Sequence, residues 1–115
     1  MAYDEHLAER IRNWFSQQRI PVEEIKMMGG VGFMLDEKMV VGVTKDWMMA
    51  RIDPEDLERC RARFSAENLF IPEKLQFGFL FLSPDFFDLD EHFDFWLERC
   101  MDYHPRAPRK KKKKG

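Results

Sequence analysis

Apolar residues first recur at helical spacing. Leu7, Ile11, Trp14 and Phe15 stand at i, i+4, i+7 and i+8, one stripe of a helix. Asp4 is a capping residue type, and Pro21 closes the segment because proline forces Ile20 out of the helical region. Glu9, Arg10 and Arg12 then fall on the solvated side. Four runs of strand length follow at 24–28, 31–36, 39–44 and 47–52. Gly29-Gly30, Asp36-Glu37-Lys38 and Lys45-Asp46 separate them, and the glycine pair suits the positive φ angles of a tight hairpin. Connections this short exclude parallel crossovers, so the pattern predicts an antiparallel meander.

Asp53-Pro54-Glu55-Asp56 then reads as a helix start, with a capping side chain, a proline at the first position and carboxylates at the positive end of the dipole. Leu57, Cys60 and Phe64 form its apolar stripe. The run LQFGFLFL at 75–82 reads as one further strand, broken by Ser83-Pro84-Asp85. Asp88 and Glu91 have the spacing of a capping box. Behind them Leu89, Phe93, Trp96, Leu97, Cys100 and Met101 make the last helical stripe, which His104-Pro105 ends. The predicted fold class is α+β: a two-layer sandwich, a mostly antiparallel sheet with helices on one face, in the order α-β(3-4)-α-β(1-2)-α.

Charge divides the chain in two. Residues 1–105 hold all 21 acidic residues against twelve Lys and Arg, a balance of −9, while 106–115 carry seven positive charges and no negative one. The expected organisation is therefore one domain over 1–105 and a disordered basic tail over 106–115. The body repels phosphate backbones and the tail attracts them. Cys60 and Cys100 are far apart in sequence and suit two reduced thiols in a cytoplasmic protein better than a disulfide framework. No apolar run approaches the roughly 20 residues of a membrane span, and no membrane contact is expected.

His6, His92 and His104 lack the spacing of a zinc motif. Asp85, Asp88, Asp90 and Glu91 lack a calcium-loop register, and helix capping explains them. Gly29-Gly30-Val31-Gly32 leads into a strand rather than a helix, which favours a hairpin over a phosphate cradle. Both cysteines fall on apolar stripes rather than beside a base. No enzyme, metal or cofactor is expected. Met27, Met28, Met34, Met39, Met48 and Met49 crowd one stretch; core filling is the first explanation, partner binding the second, and thioethers also suit Cu(I). Phe86, Phe87 and Phe95 read as a candidate partner-binding patch, since Phe95 faces away from the main stripe.

Met28-Gly29-Gly30, Gly32-Phe33-Met34, Lys38-Met39, Gly42-Val43 with Lys45, Met48 to Arg51, Gly78-Phe79 and Trp96-Leu97 together resemble the amino-terminal domain family of TfoX, named after a regulator of bacterial DNA-uptake competence. The opening residues 1–12 also look typical of small proteins in that family, and the resemblance covers residues 3–103. It implies an antiparallel sheet with helices packed against it, and a regulatory or interaction role with no catalytic residues to carry over. The family regulator has a second, carboxy-terminal domain, and here the lysine tail stands at that place. The expected function is a regulatory or adaptor domain acting through a protein partner or self-association. The alternative is a nucleic-acid accessory protein, anchored without sequence preference by Arg109, Lys110, Lys111, Lys112, Lys113 and Lys114.

Overall fold

The computed structural model describes residues 3–27 and 29–108. Within them the chain runs α1 (Glu5–Gln17), β1 (Glu23–Met27), β2 (Gly30–Leu35), β3 (Lys38–Thr44), β4 (Trp47–Ala50), α2 (Leu57–Ser65), β5 (Leu80–Leu82) and α3 (Asp90–Tyr103). The sheet is five-stranded in the order β1-β2-β3-β4-β5, antiparallel at every step, so the fold is α+β.

Asp4 caps α1 as its chemistry predicts, accepting from the backbone N–H groups of His6 and Leu7. The four expected strands form within a residue or two of their predicted bounds. Gly29 takes φ 81° at the first hairpin, whereas Gly30 is already in β2, close against the Val43 carbonyl. Asp36 and Glu37 make the second turn with φ 53° and 65°. Register slips between Phe33 and Met34, leaving Val40 as the extra residue of a bulge in β3.

Val31, Phe33, Val41, Val43, Met48, Ala50, Leu80 and Leu82 share one face through this register, and all are buried. Phe15 of α1 stacks on Phe33 at 6.1 Å between centroids, and Arg12 of α1 pairs with Glu24 of β1. α3 packs against β3 and β4. Its Trp96 stacks on Phe64 of α2 at 5.0 Å, completing the core.

Four expectations need correction. The run 75–82 is not one strand: Phe77 and Gly78 turn it with φ 54° and 83°, Gln76 bridges Phe79, and only Leu80–Leu82 joins the sheet. Asp88 and Glu91 form no capping box, because α3 starts at Asp90 behind Leu89 and no side chain caps it. Arg10 is not a free solvated side chain: it donates to the Phe87 carbonyl at 3.1 Å and to Asp90 at 3.2 Å, and lies over the Phe93 ring. Arg106–Pro108, assigned on charge to the tail, are bound to the body. Arg106 pairs with Asp53 and Asp102, Ala107 is buried, and the Pro108 carbonyl accepts from Arg51 at 2.8 Å.

Candidate functional site

The sheet's second face is built differently from its first. Strand alternation puts Ile25, Gly32, Gly42, Met49 and Phe81 in one row across β1 to β5. Met27, Gly30, Thr44 and Trp47 make the next row. Met34 and Met39 pair beyond the bulge. Gly32 and Gly42 are direct partners, so the middle of this face has backbone for a floor. The thioethers of Met27, Met39 and Met49 lie across it.

Two adjoining hollows result. One, of about 180 Å³, is lined by Met27, Gly30, Val31, Met39, Val43, Thr44, Met49 and Phe81. The other, of about 480 Å³, has Met27, Met34, Glu37, Lys38, Met39, Arg51, Phe77, Phe79 and Pro108 around it. None of these residues belongs to a helix. Ile25, Met27 and Trp47 expose 39%, 37% and 41% of their surface at the margin, and Phe77 exposes 96%. Phe77 also has a left-handed backbone that bulky residues avoid. An exposed aromatic ring held at that conformation on a hairpin tip is unfavourable for folding alone, which is a mark of functional positions.

Lys38 closes one end. Its ammonium is buried and donates to the carbonyls of His104 at 2.6 Å and Ala107 at 3.0 Å, fastening the last described residues beside the trough. His104 donates through Nε2 to the Leu35 carbonyl at 2.7 Å, while its Nδ1 is buried without a partner. Burial holds the His104 pKa below its ordinary value, opposed by that hydrogen bond and aided by nearby Lys38.

The three aromatic candidates part company. Phe86 and Phe87 are 8% and 3% exposed, so they are core residues and not surface. Pro84 starts a short 3-10 turn that drives both rings inward, and the Phe86 carbonyl accepts from the Trp96 indole at 3.0 Å. Phe95 is half-buried, edge-on to Trp96 and under the guanidiniums of Arg63 at 4.5 Å and Arg99 at 5.9 Å. It lines a cavity of about 290 Å³ between α2 and α3 with Asp56, Arg59, Cys60, Arg63, Glu98 and Arg99. The candidate nucleic-acid contacts Arg109 and Lys110 to Lys114 lie outside the described residues, as does Met28.

Cys60 and Cys100 are free and buried. Burial pushes their thiols up to about 11 and about 12, the opposite of what a nucleophile needs. Among the described residues no group of three or more His, Cys, Asp or Glu is placed to hold a metal ion, and no helix is long and apolar enough to cross a membrane.

Sequence reasoning missed the trough. The methionine run reads first as core filling, yet of its described members only Met48 is buried in the core. The legible signal was the placement of Gly32 and Gly42 at strand positions facing away from the valines, with methionine on three neighbouring strands.

The five-stranded antiparallel meander with its three α-helices makes this a small α+β domain. The sequence profile of the TfoX N-terminal domain matches residues 15–103, and the chain belongs to that family, a regulatory and non-catalytic one. Among curated proteins and among solved structures, none matches the chain.

Proposed function

We propose that this chain is a non-enzymatic regulatory or adaptor domain that acts through protein–protein contacts, with the open sheet face as its contact surface. The glycine-floored, methionine-walled trough carries this reading. Flexible thioethers adapt to apolar partners, and the exposed Ile25, Met27, Trp47 and Phe77 surround them with anchoring material. Phe95, half-covered by arginines, offers a second and smaller contact on the helical side. The unbridged Cys60 and Cys100 fit a reducing, cytoplasmic setting.

Trp47→Glu tests the surface. The side chain stands at the margin, so the variant should stay folded by circular dichroism while association with a partner, or with a second copy, weakens. Losing a tryptophan anchor costs about 2 kcal/mol or more, roughly 30-fold in affinity. Unchanged association in sedimentation and partner titration would remove the trough from the reading.

A second reading rests on the charge separation. Arg106 is paired with the body, which leaves Arg109 and Lys110 to Lys114 as the cationic run opposite an acidic domain. Five phosphate contacts would give a log–log salt slope of about −4.5 on duplex DNA. Binding that survives deletion of 109–115 would exclude this anchor.

A further inference from the structure

We infer that the open sheet face holds a binding site for a soft monovalent metal ion, Cu(I), with the thioethers of Met27, Met39 and Met49 as its ligands. Register brings these side chains together from β1, β3 and β4. Gly32 and Gly42 leave the space between them free, and the thioethers fold into it. Met39 Sδ and Met49 Sδ lie 3.3 and 3.6 Å from one point, the position a Cβ on Gly42 would occupy. Met39 Sδ and Met27 Cε lie 3.5 and 3.1 Å from the corresponding point on Gly32. Met39 therefore sits between the other two. Methionine has three rotatable bonds beyond its Cα, so rotations about them bring three sulfurs around a common centre without moving the sheet.

The donor chemistry selects the ion. Thioethers are soft and neutral, which favours Cu(I) over Mg²⁺, Ca²⁺ or Zn²⁺. The smaller hollow supports this, since among the described residues no carboxylate, imidazole or ammonium lines it and Thr44 supplies the polar side chain. All three methionines keep exposed surface, so an ion reaches them from solvent. Met34, the register partner of Met39, lines the larger hollow, while the thiol donors, Cys60 and Cys100, are buried on helices α2 and α3. Their raised pKa values keep them protonated at neutral pH, whereas metal binding needs the thiolate. This site goes beyond the docking role and does not depend on it.

Silver(I), a redox-inert stand-in for Cu(I), gives a direct test on the full chain. Protein carrying ¹³C-methyl methionine would be titrated with silver nitrate in chloride-free buffer at neutral pH. One equivalent should move the ε-methyl signals of Met27, Met39 and Met49 and leave Met48 and Met101 in place. Met39→Leu conserves volume and should keep the fold. It removes a ligand, so silver binding should weaken by about 10–100-fold or more, and Cu(I) should no longer be drawn from a chromophoric chelator. The inference is overturned if the three methyl signals stay fixed at one equivalent. It is also overturned if silver is captured at the cysteines alone, or if Met39→Leu binds silver as wild type does.

Discussion

Trp96 has no exposed surface, stacks on Phe64 and donates its indole N–H to the Phe86 carbonyl. Trp96→Ala removes all of this and leaves a void, so it should cost about 3–5 kcal/mol in a urea melt; a change under about 1 kcal/mol would contradict the packing described. Cys60 and Cys100 make a second residue-scale prediction. With thiols held up near 11 and 12, neither should react with iodoacetamide in the native state at pH 8, and both should react once the chain is unfolded. Rapid native labelling of either, read by mass spectrometry, would show that helix α2 or α3 is not closed as described. His104 sets a pH dependence. Its folded pKa is lowered by burial, so the unfolded chain takes up the proton first as pH falls. Stability is then complete above about pH 6.5 and declines below it, toward the lower folded pKa. Thermal melts from pH 8 to 5.5 should show that decline in wild type and a flatter profile in His104→Gln. Arg12 and Arg106 hold the carboxyls of Glu24 and Asp53 below their ordinary values, so their contribution is lost only at more acid pH, under about 4.

Strand β2 holds two glycines whose roles differ, and substitution separates them. A Cβ on Gly30 would run into the Val43 carbonyl, a backbone atom that moves only with the sheet. Gly30→Ala should therefore destabilise by about 1–3 kcal/mol. A Cβ on Gly32 would meet the Met39 methyl at 2.7 Å, the free end of a flexible side chain. The swing of Met39 is offset by the lower entropy of the unfolded alanine chain, so Gly32→Ala should stay within about 1 kcal/mol of wild type. Equal losses in paired denaturant curves would mean that the trough is rigidly packed. At this scale the sequence was readable wherever one period held over several residues. The stripe of α1 and the short turns of the meander each had a single physical solution. The element β5 was not readable, because an aromatic run has the same composition whether it continues straight or doubles back at Phe77-Gly78. Phe86 and Phe87 were misplaced for a related reason: the 3-10 turn begun by Pro84 decides where they point, and side-chain periodicity does not report on it.

For the whole molecule, one face of the sheet is buried, with Phe15 of α1 stacked on Phe33, while the other keeps a trough of backbone and thioether. The sequence pattern predicts the antiparallel strands and helices on one face, but its imperfect alternation does not assign the faces. It could not give the open side, where glycine and half-buried methionine carry no strong preference for core or surface. The end of the described chain is fastened beside that trough by Lys38 and Arg51. A photo-crosslinking residue at position 47 tests the central claim, with one at Glu9 on the solvated side of α1 as control. In the native cell, position 47 should yield a discrete adduct whose mass identifies a protein partner or a second copy, and position 9 should yield none. Adducts from position 9 alone, or none from position 47 in a folded protein, would contradict the assignment of the open sheet face as the working surface.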